Sequence, residues 1–130
     1  MLILGHIAID YPNFIHIKSI DDLAKTLPKD IVWFNASNDV DYNIAKHCRD
    51  NNIAYSVVIN ELKDAIIFAN LGAKYIIISD KHLAEITQKV ANEYFFDSKI
   101  LYIVNDESSI ENMAMLGIDG VIFNNILKTN

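Results

Sequence analysis

Short apolar runs alternate with segments of helical period along this chain, and that alternation predicts the architecture. The runs are Phe14–Ile17, Ile31–Phe34, Ile53–Ile59, Tyr75–Ile78, Ile100–Val104 and Val121–Phe123. They are near-continuous Ile, Val, Tyr and Phe rather than a strict in–out alternation. Strands covered on both faces read this way, and parallel sheets are covered on both faces. Leu2–Leu4 adds a short further strand.

Between the runs, apolar residues recur every three or four positions. Ile20, Leu23, Ala24 and Leu27 share one helical face, closed by Pro28. Val40, Ile44 and Cys48 mark a second helix, and Leu62, Ala65, Ile66 and Ala69 a third. Leu83, Ile86, Val90 and Tyr94 mark a fourth, and Ile110, Met113 and Ala114 a fifth. Each stripe must pack against the sheet. Gly72 and Gly117 follow helical segments as left-handed caps, and Ser108 with Glu111 has capping-box spacing. Strand and helix in regular alternation require right-handed crossovers. The expected fold is therefore an α/β domain over residues 1–130, with about six mainly parallel strands and helices between them. Either an open flavodoxin-like sheet or a partial (βα)-barrel fits. A sequential half-barrel would leave one sheet face in need of cover, so that version carries the expectation of a homodimer.

Composition narrows the function classes. The 130 residues suit one domain, and four Gly and two Pro leave little for long flexible loops. Net charge is −6, and the eleven Lys and Arg are scattered, so no nucleic-acid partner is expected. Cys48 is the single cysteine, which excludes an internal disulfide and a cysteine-based zinc site. Met1–His6 lacks the positive start of a secretory leader, and no apolar stretch approaches ~18 residues. A cytoplasmic protein without a membrane anchor is the expectation.

From the second helix onward the chain resembles part of a (βα)-barrel enzyme, the class I aldolase family acting on 2-keto-3-deoxy-6-phosphogluconate. The residues that carry this are Ala45–Asp50, Asn51-Asn52-Ile53, Glu61–Asn70 and Leu71-Gly72-Ala73-Lys74-Tyr75, and the similarity spans about residues 40–123. The resemblance implies a Schiff-base lysine and glycine-rich phosphate turns, and this chain departs from both. Ile77 stands at the lysine position and cannot form an imine. The turn Asn105-Asp106-Glu107 is acidic and lacks glycine, so it would repel a phosphate. The chain is also well short of the ~250 residues of a full eight-fold barrel.

Ligands of parallel α/β folds bind at the carboxyl ends of strands. That rule selects Asn35, Ser37, Asn38 and Asp39; Asn60 and Glu61; Ser79, Asp80, Lys81 and His82; Asn105, Asp106 and Glu107; and Asn124 with Asn125. Asn35, Ser79, Asn105 and Asp106 are the candidate ligand-binding residues. Asp80, Lys81 and His82 are the candidate catalytic ones, since a carboxylate, an amine and an imidazole can support acid–base chemistry. The competing reading is that these residues cap the helices they precede. His16-Ile17-Lys18 has the His-x-Lys spacing of phospholipase D-type phosphodiesterases, but Leu23 stands where the following Asp belongs. His47 and Cys48 are helix neighbours about 100° apart, which does not make a nucleophile pair. Neither a dinucleotide fingerprint nor a phosphate-binding P-loop occurs, and no cofactor or metal is expected. The expected function is a non-catalytic binding or protein-interaction module. The alternatives are a small-molecule enzyme using Ser79–His82 and a phosphate- or nucleotide-binding regulatory domain.

Overall fold

The structure, a computed structural model, describes residues 1–129. Seven strands form one parallel sheet: β1 (Leu2–Leu4), β2 (Phe14–His16), β3 (Ile31–Asn35), β4 (Tyr55–Val58), β5 (Tyr75–Ile78), β6 (Lys99–Val104) and β7 (Gly120–Phe123). Their order is β1-β7-β6-β5-β4-β3-β2. The six longer runs and Leu2–Leu4 all become strands. The order is sequential from β2 to β7, with β1 added beside β7, and this is a partial barrel rather than a flavodoxin-like order. The α-helices are α1 (Asn43–Asp50), α2 (Leu62–Asn70), α3 (Lys81–Glu93) and α4 (Ile110–Met115).

Alternation along each strand sends side chains to two separate cores. Val32, Phe34, Tyr55, Val57, Ile76, Ile78, Ile100 and Val121 face the helices. Ile31, Trp33, Tyr75, Ile77, Leu101 and Ile122 face the other side, with Leu4 and Phe14. Among the described residues no α-helix covers this second face, yet Ile77, Leu101 and Ile122 are wholly buried. The sheet curls and fills its own hollow. The Phe14 and Tyr75 rings lie 6.1 Å apart, although three strand spacings, roughly 14 Å, would separate their strands in a flat sheet. Ile126 and Leu127 pack onto the same cluster from beyond β7. The bare face from which a dimer was expected is therefore covered from within.

Three helical expectations change. The stripe from Ile20 to Leu27 forms only a 3-10 helix, Ile20–Lys25, with no buried residue. Val40 is 71% exposed, because Asp41 and Tyr42 adopt left-handed φ of 54° and 59° and break the helix before α1. On α3 the buried residues are Ala84, Thr87, Gln88 and Ala91, not the larger Leu83, Ile86 and Val90. Small side chains let the helix approach the isoleucines of β5 and β6, and the large ones fill the flanks. Tyr94 lies past the end of α3 and is exposed. Gly72 and Gly117 do take positive φ, 81° and 75°. No capping box forms at Ser108, whose N–H and hydroxyl both donate to Asp106. Among the described residues no helix is long and apolar enough to cross a membrane.

Candidate functional site

Strand ends place the polar side chains, and hydrogen bonds decide what remains available. Asp80 follows β5 and accepts the Leu83 N–H at 2.7 Å, so its carboxylate caps α3. The side chains of Ser79, Lys81 and His82 are exposed around it and make no hydrogen bond or ion pair with another described residue. The four are contiguous but do not converge. Asn35 ends β3 half-buried, and its side chain caps nothing. Asp39 is buried and accepts the Ile44 and Ala45 N–H groups at 2.7 and 3.1 Å, neutralising the start of α1. Asp39 and Asp80 behave as helix caps, the competing reading of the sequence, and Asn35, Ser79, Lys81 and His82 do not.

Asn38 and Asp39 line one cleft with Lys18, and a second cleft collects more of the strand-end residues. It lies at the carboxyl ends of β1, β6 and β7, has a volume of about 340 Å³, and is lined by Gly5, His6, Ile7, Asn105, Asp106, Glu107, Phe123 and Asn125. Four of the expected strand-end residues, Asn105, Asp106, Glu107 and Asn125, meet here; Asn35 and Ser79 do not. His6 was not foreseen. Extending the strand-end rule to the short run Leu2–Leu4 would have found it.

His6 is held from both sides. Its Nδ1 accepts the Ala8 N–H at 3.0 Å. Nε2 is then the protonated nitrogen, and it donates to Glu107 Oε2 at 2.6 Å. The ring also meets Phe123 edge-on at 5.8 Å. Gly5 makes this approach possible: its φ is +99°, and a Cβ there would stand 2.9 Å from the Phe123 Cβ. The Asp106 carboxyl is held below the usual range by hydrogen bonds from the Ser108 side chain and backbone. The cleft is thus acidic and rich in oxygen acceptors. No protein-family model matches the chain, and no curated protein matches it.

The remaining candidates resolve into packing. His16 is 4% exposed and its ring packs against Trp33, tilted by 46°, with 4.4 Å between ring centroids. Burial, with the nearby Lys18 charge, lowers its pKa. Lys18 is exposed, and its backbone N–H donates to Asp22 at 2.8 Å. Cys48 is buried with Ile44 in the helix-side core, and burial pushes its thiol up to about 11. Such a thiol is no nucleophile at neutral pH. Ile77 is wholly buried. Among the described residues no group of three or more His, Cys, Asp or Glu forms a metal cluster.

Proposed function

We propose that this partial barrel is a non-catalytic binding module whose ligand enters the cleft between His6, Asn105, Glu107 and Asn125. The observation that carries this reading is that the cleft's imidazole and its Asp106 carboxylate are already engaged, whereas Lys81 and His82 stand exposed outside it. Asp80 and Asp106 cap helical turns, and both nitrogens of His6 have partners. A general base needs a free lone pair within reach of substrate. What stays open in the cleft is the Glu107 carboxylate, 74% exposed, with the amides of Asn105 and Asn125. That set favours a small polar or cationic molecule rich in hydrogen-bond donors. An anion fits poorly, and a nucleotide-binding role has the same difficulty, since Asp39 and Asp80 already occupy the starts of α1 and α3.

Amide-resolved NMR titration with a library of small amines and amides tests the reading. Binding should move Gly5, His6, Asn105 and Asn125 together, and Glu107→Gln should weaken it. A library that perturbs other surfaces and leaves this cleft silent would sink it. The 2.6 Å His6–Glu107 bond favours a second reading, an acid–base enzyme in which Glu107 swings away to release Nε2. That reading predicts a turnover that His6→Asn abolishes and Ser79→Ala leaves intact.

A further inference from the structure

The end of α3 turns two aromatic rings outward. Tyr94 closes the helix, its N–H donating to the Val90 carbonyl. The Phe96 N–H then reaches back to the Ala91 carbonyl at 2.9 Å. This turn holds Phe95 at a left-handed φ of 54°, a conformation that favours glycine. Phe96 packs against the helix-side core, but Tyr94 and Phe95 are 72% and 88% exposed. The fold thus strains its backbone at a residue whose ring it leaves in water. Neither feature stabilises a lone molecule, and strain of this kind gathers where a protein grips something else.

Beside the rings lies a hole. A cavity of about 590 Å³ opens between α2 and α3, lined by Ile66, Ala69 and Val90 together with residues 94–97. Cavities of ~300–1,000 Å³ take whole small molecules, so an aromatic ring has room here. A protruding ring next to a hole is what a two-fold pairing of identical chains needs, because each copy must offer both halves of the contact. The charges agree with a second copy as partner. Asp97 lies on the cavity, and Lys99 on a smaller one that shares Phe95 and Phe96. Neither enters an ion pair among the described residues. A chain of net charge −6 therefore presents one unpaired charge of each sign at this spot, and each can meet its opposite across a two-fold axis. The area agrees as well. A large aromatic side chain removes ~150–250 Å² from water. Tyr94 and Phe95, with Ile66 at 39% exposure, supply roughly half of the ~800 Å² per partner in a standard interface.

We propose that two copies of this chain pair about a two-fold axis at the end of α3, each inserting Phe95 into the cavity between α2 and α3 of the other. This face is distinct from the hollow side of the sheet, which the curl already fills. Residues 94–97 lead into the start of β6, at the other end of the sheet from the His6 cleft, so either proposal stands or falls without the other. Sedimentation velocity and thermal melts of the full chain, from about 1 to about 200 µM, test it. The wild type should pass from monomer to dimer, and its melting temperature should climb with concentration. Phe95→Gly suits the left-handed backbone and so should fold. Its dimer Kd should rise about tenfold or more, and its melting temperature should lose the dependence on concentration. Ile66→Lys keeps Phe95 but sets a charge in the wall of the cavity, and it should weaken pairing to a similar degree. Circular dichroism should show the wild-type fold in both variants. A wild type that stays monomeric across the range would overturn the proposal and leave the cavity to a small ligand or a different protein. A dimer that either variant leaves at full strength would overturn it too, placing the contact elsewhere on the surface.

Discussion

Several side chains in this fold carry polar atoms into places where their ordinary chemistry is suppressed. Cys48 is the plainest case. Its thiol ionises near 9.0 in an exposed chain and at about 11 when buried here. Above pH 9 the unfolded chain therefore sheds a proton that the folded chain keeps, and stability falls as pH rises toward 11, by about 1.4 kcal/mol per pH unit. Denaturant titrations between pH 8 and 10 should show this slope and Cys48→Ala should flatten it; above pH 10 the Tyr55 hydroxyl, also pushed up by burial, adds a slope that the variant keeps. His16 works at the other end of the scale. Its folded pKa lies below the ordinary 6.5, so its contribution is present above pH 6.5 and is lost as pH falls through the folded value. Ser56 sits wholly buried on the sheet's hollow side, opposite Trp33, with no partner for its hydroxyl. Ser56→Ala should leave stability unchanged or raise it by about 1 kcal/mol, as read from the urea midpoint. A loss above about 1 kcal/mol would mean that the hydroxyl is satisfied.

At the level of elements, the ends of helices carry most of the local decisions. Phe95 follows α3 with a left-handed φ of 54° and is 88% exposed. The position wants glycine. In the dilute monomer, Phe95→Gly should raise the melting temperature, with a gain of about 1 kcal/mol. A fall would show that the ring is covered in solution. The strands were legible in the sequence because Ile, Val, Tyr and Phe runs admit few other readings at that length. Helix faces were less so. The α3 stripe was displaced because Ala84 and Ala91 win the contact with the sheet by being small, and hydrophobicity alone does not register that. The helix expected from Val40 was cut short because Asp39 reaches forward to α1, a contact between residues five and six apart that no period reveals. Caps explain the site in the same way. The acidic residues after strands were found correctly, but which of them keep a free oxygen is settled by backbone geometry. His6 was hidden by the brevity of β1.

For the whole molecule, the curl of the sheet is the decisive feature. It replaces a second helix layer with Phe14, Trp33, Tyr75 and their neighbours packed against one another. Phe14→Ala should therefore cost about 3–5 kcal/mol, far more than an edge-strand residue would in a flat sheet, and chemical denaturation would measure it. A cost below about 1 kcal/mol would mean that the hollow is open. The order of pairing has a consequence in time. Leu2 is matched with Gly120, so β1 cannot dock until β7 has been synthesised. Until then β7 presents a naked edge, and loop closure across nearly the entire chain stands between the nascent protein and its native state. Folding is accordingly expected to nucleate among β3, β4, β5 and β6 and to finish at β1. The interval before that last docking is when the chain is most exposed to aggregation.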